Sequence, residues 1–97
     1  MPSKIRQSTG NVFHDLGFAP EEAEHLRLRS ELMARLSQLI AKRELTQAAA
    51  AKLFGVTQPR VSDLVRGKIA LFSIDTLVEM LAHAGIRVEV ILKKRVA

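Results

Sequence analysis

Gln58, Pro59, Arg60, Ser62, Asp63 and Arg66 fall within nine residues, between Thr57 and Gly67. The one nucleophile in this set, Ser62, has only the adjacent Asp63 beside it, and adjacent side chains rarely point at one another, so the chemistry here is recognition. An amide such as Gln58 can pair with an adenine edge, and Arg60 with guanine or a phosphate. Asp63 can accept from a cytosine amino group, and Pro59 offers an apolar contact to a thymine methyl. Gln47, Arg66 and Lys68 suit phosphate oxygens, Gln47 because it would stand at the positive end of a helix. Thr57, at the entrance to the second helix, completes the candidate set.

Such side chains work only if a helix turns them outward while its other face is held down. At about 100° per residue, Val61, Leu64 and Val65 cluster inward. Pro59, Ser62, Asp63 and Arg66 then point away, with Gln58 and Arg60 on the flanks. Residues 46–67 (TQAAAAKLFGVTQPRVSDLVRG) supply the rest of a helix-turn-helix. Ala51 is small enough for a close helix crossing, and Gly55 tolerates the positive φ of a sharp turn. Thr46 can cap a helix over 47–54 and Thr57 one over 58–66, stopped by Gly55 and Gly67. Ser73 can cap a third over 74–84, stopped by Gly85. Val56 with Val61, and Phe72 with Leu77, have the spacing of hydrophobic staples.

Upstream, Pro20 with Glu21, Glu22 and Glu24 marks a helix start, since carboxylates there complement the helix dipole. Leu26, Leu32, Met33, Leu36, Leu39 and Ile40 recur at three- and four-residue steps and form one apolar stripe. Lys42 and Arg43 close that helix with the favourable sign. Residues 1–10 are polar and aperiodic, the pattern of a mobile arm. Residues 11–18 carry Val12, Phe13, Leu16 and Phe18, too apolar a set for a solvated tail. They dock on their own domain or on a partner.

After Gly85 the period changes to two. Ile86, Val88, Val90 and Leu92 alternate with Arg87, Glu89, Ile91 and Lys93, which predicts a strand over residues 86–93. No other segment reads as a strand, so this one needs a partner. The candidates are the same strand of a second copy, the sheet edge of another protein, and residues 11–13. In an antiparallel self-pairing centred on Val88, Arg87 faces Glu89 of the mate and Ile86 faces Val90. Ile86, Val88, Val90 and Leu92 are therefore candidate dimer contacts.

Composition narrows the partner. The chain has 97 residues, 47% apolar and 26% charged, enough for one small packed core. Fifteen Lys and Arg stand against ten Asp and Glu, a net charge of +5 that favours a polyanion. Residues 21–45 balance to zero, whereas 46–67 carry Lys52, Arg60 and Arg66 against Asp63 alone. Four Phe are the only aromatic residues, a poor platform for stacking single-stranded bases. Double-stranded DNA fits better. A chain without cysteine, apolar signal or run of ~18 apolar residues is expected to be soluble and cytoplasmic.

Catalysis and metal binding find little support. His14, His25 and His83 lie on separate segments, and zinc wants three or four ligands together. Ser62 and Ser73 have no plausible general base nearby in sequence, and no glycine-rich phosphate loop occurs. The glutamates at 21, 22 and 24 are explained by the helix start. No enzyme activity, metal or cofactor is expected.

Residues 31–85 resemble the Cro/C1-type (XRE-type) helix-turn-helix repressors. That resemblance implies a five-helix domain binding an operator as a dimer. It places Gln47, Gln58, Pro59 and Asp63 near base edges or backbone, and Arg66 near phosphate. Proline at position 59 departs from the commoner polar residue, so a base contact there must be apolar. A narrower resemblance rests on Gly10-Asn11-Val12-Phe13, Asp15-Leu16-Gly17-Phe18, Gln58-Pro59-Arg60-Val61-Ser62, Phe72-Ser73 and the valine-rich end. It is similar to the HigA-type antitoxins, which implies a RelE/HigB-like toxin as partner and repression of a shared operon. Val12, Phe13, Leu16 and Phe18 would then be the toxin-binding residues. The alternatives are a stand-alone phage-repressor-like regulator and a protein-interaction module that reads no DNA.

The expected architecture is thus mainly α: an N-terminal arm over residues 1–18, then a five-helix Cro/C1-type domain over 19–97. Its C-terminal strand would pair across a dimer.

Overall fold

A computed structural model describes residues 11–94. Its helices are α1 (Val12–Asp15), α2 (Pro20–Lys42), α3 (Gln47–Phe54), α4 (Gln58–Val65) and α5 (Ile74–His83). A single 3-10 turn, Ile69–Leu71, lies between α4 and α5. The helix count agrees with the expected five, but one of them is the four-residue α1, in a segment given no element by pattern alone.

Helix starts follow the hydroxyl and amide caps. Thr46 Oγ1 accepts from Ala49 N at 3.0 Å, Thr57 Oγ1 from Arg60 N at 3.4 Å, and Ser73 Oγ from Thr76 N at 3.1 Å. Asn11 Oδ1 does the same for α1, accepting from Phe13 N at 3.0 Å. Only α2 starts without a side-chain cap; Pro20, Glu21 and Glu22 stand in its first turn instead. Proline removes one of the orphan donors there, and the carboxylates oppose the dipole. Farther along, Arg27 bridges Glu24 and Glu31, and its pKa is raised above the ordinary value chiefly by the bond it donates to Glu24.

All five helices end on one backbone pattern. In α3, Val56 N donates to the Ala51 carbonyl at 3.0 Å and Gly55 N to that of Lys52 at 3.4 Å. The equivalent pair closes α1, α2, α4 and α5. This double closure requires one residue in the left-handed region. Four helices place glycine there, as the sequence pattern anticipates for three; α2 places Glu44, with φ of 52°. The helices over 58–66 and 74–84 come out one residue shorter, because Arg66 and Ala84 are their terminal caps.

The core gathers one face from each long helix. Leu36, Phe54, Val61, Leu64, Phe72, Leu77 and Met80 are sealed from solvent, with Met33, Ala50, Ala51 and Leu81 around them. The α2 stripe enters this core through Met33 and Leu36, while Leu32, Leu39 and Ile40 lean on its edge. The residues of both staple pairs meet the core: Val56 packs against the cluster containing Val61, and Phe72 and Leu77 are both buried in it.

Two expectations need correction. Val65 was expected to face inward, yet it is 45% exposed. The seam of α4 runs between Val61 and Leu64, which leaves Val65 on the rim of a groove beside Phe13, Ser30 and Ala34. Second, no strand forms over residues 86–93, and none exists among the described residues. A strand needs a ladder, and the one candidate within the chain is spent, because Val12–Asp15 is helical and pairs its own backbone. The two-residue period survives only in part. Ile86 and Val88 rest on the core, and exposed Arg87 and Glu89 bond each other at 2.8 Å. Val90, Ile91 and Leu92 all face solvent.

Glu44→Gly should stabilise the domain by about 0.5–1 kcal/mol. The left-handed Cβ costs about 1–2 kcal/mol, partly offset by the entropy of glycine in the unfolded chain; urea denaturation checks it. Gly55 carries a second constraint. A Cβ there would stand 2.7 Å from Cδ2 of His83, whose ring is held by a 3.1 Å bond between Nδ1 and the Leu53 carbonyl. Around Gly67, at a similar φ, the space is open. Gly55→Ala should therefore cost more stability than Gly67→Ala, and equal losses would mean that the His83 ring simply swings aside.

Candidate nucleic-acid interface

The interface is built by forcing a short helix to show one face. An eight-residue helix has little stability of its own in water. In α4 the deficit is met by burying Val61 and Leu64, which are 0% and 1% exposed. Thr57 caps its start, and the Gly67 N–H donates to the Leu64 carbonyl at its end. The turn after α3 sets its direction: Gly55 takes φ of 69°, and Ala51 is buried near the crossing.

With that face pinned, the outward set appears largely as the helical wheel places it. Thr57, Gln58, Pro59 and Arg66 are exposed, and Ser62 and Asp63 are half-exposed. Lys68, beyond the closing turn, reaches back to Asp63 at 3.6 Å. That link ties the turn to the outer face of α4. Gln47 stands exposed in the first turn of α3, at the positive end of the helix.

Arg60 is placed differently. Its Nη1 donates to the Leu71 carbonyl at 3.0 Å, and its guanidinium lies 5.1 Å from the centroid of the Phe72 ring. The side chain runs along the protein and is half-buried.

One contributor escaped the sequence reading altogether. Arg29 of α2 reaches the 3-10 turn, donating from Nη1 to the carbonyls of Ile69 at 3.2 Å and Phe72 at 3.4 Å. Its Nε is shut from solvent without an acceptor. The available signal was positional: Arg29 follows Leu26 by three residues and precedes Met33 by four, a charge within an apolar stripe.

The candidate partner-binding segments also separate. Phe13 is half-buried, with its ring edge-on to Phe18 at 6.2 Å. It lines a groove of about 370 Å³ with Ser30, Met33, Leu64 and Val65. Val12, Leu16 and Phe18 remain 60%, 70% and 40% exposed. Of the four C-terminal residues, Ile86 and Val88 lean on the core and Val90 and Leu92 are exposed. Among the described residues, no three His, Asp or Glu side chains gather as a metal would require.

This arrangement of α3 and α4 has relatives. Residues 12–93 match a family model described as a helix-turn-helix domain. A solved structure provisionally assigned as an XRE family transcriptional regulator is 34% identical, with a TM-score of 0.69. The similarity covers 75% of this chain and 82% of that one. The chain belongs to the XRE-type helix-turn-helix family. No curated protein matches it. Within that helix-turn-helix frame α3 is the first helix of the pair and α4 the second. The family match begins at Val12, so α1 lies inside the matched region. No described helix is long and apolar enough to cross a membrane.

Proposed function

We propose that this chain is a sequence-specific regulator of transcription that binds double-stranded DNA as a homodimer. One observation carries the reading: Gln58, Pro59, Ser62, Asp63 and Arg66 occupy the solvent face of a helix whose opposite face is sealed by Val61 and Leu64. A helix so pinned can enter the major groove and present short polar side chains to base edges. The net charge of +5 supplies the non-specific attraction that precedes reading. The chain acts without catalysis and without a cofactor.

A single recognition helix spans few base pairs, so two copies bind half-sites about one helical turn apart. The C-terminal segment offers the contact. Val90 and Leu92 are exposed, and the backbone of residues 86–94 forms no ladder. In the self-pairing centred on Val88, the Arg87–Glu89 bond within one copy exchanges for the same bond across two.

The finer part of the reading is an antitoxin that neutralises a RelE/HigB-like toxin and represses their shared operon. Its support is the HigA-type pattern of residues 10–18 together with the exposure of Val12, Leu16 and Phe18. A regulator without a toxin is the second reading; the related solved chain is called a transcriptional regulator, which fits either one.

Binding to duplexes enriched from a random pool tests the DNA reading. Arg66→Ala should weaken binding to all sequences and reduce the salt slope by about 1, whereas Asp63→Ala should relax preference at one base position. Failure of any duplex to bind at low salt would leave a protein-interaction module. Val90→Pro removes a ladder donor without touching the core. It should convert the dimer to monomer by light scattering, and an unchanged mass would exclude this pairing. The antitoxin reading predicts that a small basic protein encoded beside this gene co-purifies with the chain and halts growth when expressed alone. An isolated gene would leave the stand-alone regulator.

A further inference from the structure

We propose that Arg60, together with Arg29, is a positioning residue of the recognition helix and reads neither base nor phosphate. The inference rests on the DNA-binding reading above and changes what one residue of the interface does within it.

The two guanidinium groups converge on one short stretch of backbone from different helices. Arg29, on α2, donates to the carbonyls of Ile69 and Phe72. Arg60, on α4, donates to the carbonyl between them, that of Leu71. These carbonyls belong to the 3-10 turn and its cap, where the chain leaves α4 and prepares to start α5. The Ile69 carbonyl also accepts the Phe72 N–H that closes the turn, at 3.2 Å, whereas those of Leu71 and Phe72 lie at its C-terminal end, beyond the reach of its own N–H groups. A charged donor satisfies such a carbonyl more strongly than a neutral one. Arg60 also lies over the face of Phe72, which is 1% exposed and packs in the core with Leu64 and Leu77. Its charge is thus held by a carbonyl and by an aromatic ring at once. Releasing it toward DNA would break both contacts.

The turn matters because the outer face of α4 continues into it. Lys68 directly precedes Ile69 and reaches Asp63 on the recognition face. Fixing the 3-10 turn therefore fixes where Lys68 and the C-terminal end of α4 stand relative to α2. Base reading is left to Gln58, Pro59, Ser62 and Asp63. A lysine at position 60 would keep the charge but not the planar fork that can donate and stack together.

The test measures affinity by fluorescence anisotropy over a salt series, on the duplex that the wild-type protein enriches. The variants are Arg60→Ala, Arg60→Lys, Arg29→Lys and the Arg29→Lys/Arg60→Lys double, each first checked for a cooperative thermal transition. Positioning predicts that both Arg60 variants lose about tenfold in affinity, keep the wild-type salt slope and enrich the same sequence. It also predicts that the double variant loses much less than the product of the single losses, since either change frees the same turn. A slope lower by about 1 in Arg60→Ala, restored in Arg60→Lys, would assign Arg60 to a phosphate and overturn the proposal. An altered preference at one base position would assign it to a base, with the same result. Arg60→Lys serves where Arg60→Ala does not fold. If the wild-type protein enriches no duplex, the DNA-binding reading itself fails. The clamp is then judged by hydrogen exchange at the Leu71 and Phe72 amides, which both Arg60→Lys and Arg29→Lys must accelerate; unchanged protection rejects it.

Discussion

Everything presented by the outer face of α4 depends on how few side chains hold its inner face. Val61 and Leu64 are the only α4 residues fully withdrawn from solvent. Burying two such side chains is worth about 3–6 kcal/mol together, less than the roughly 8–16 kcal/mol of backbone entropy that ordering eight residues costs. The helix stands because its neighbours are already in place. Phe54 and Phe72 share one buried cluster with Val61 and Leu64, and Met33 and Leu36 of α2 belong to it too. The long helix is therefore the platform, and α4 is an outgrowth of the shared core.

Local chemistry then substitutes for size. A domain of this length has a small core, so the ends of its helices carry much of the specification. Hydroxyl caps open α3, α4 and α5, and the double backbone closure ends every helix. Each device costs or contributes on the order of 1 kcal/mol, but together they set the length of each helix and hence the angle at which the next one leaves. The approach of the His83 ring to Gly55 shows how tight one of those departures is.

The helices and their caps were legible because they depend on neighbours in sequence. Thr46, Thr57 and Ser73 cap the helices they precede, and Gly55, Gly67 and Gly85 end them. The outer face of α4 was legible for the same reason, since a helix fixes which residues share a side. Arg60 was not, because its partners, Leu71 and Phe72, lie eleven and twelve residues away and a carbonyl leaves no mark in a sequence. Arg29 reaches forty residues further to the same turn. Val65 failed a narrower test: the wheel gives a direction, and whether anything lies in that direction depends on packing. The strand over residues 86–93 failed because alternation records which side chains want cover, not whether a ladder partner is present.

The position of α1 carries a thermodynamic consequence. Phe13 borders the same groove as Val65 and Gly67, at the C-terminal end of α4. A ligand that displaces Phe13 reshapes a wall that this groove shares with the C-terminal end of α4, and a ligand that holds α4 fixes that wall. Two binding events joined in this way are reciprocal: whatever factor the first imposes on the affinity of the second, the second imposes on the first.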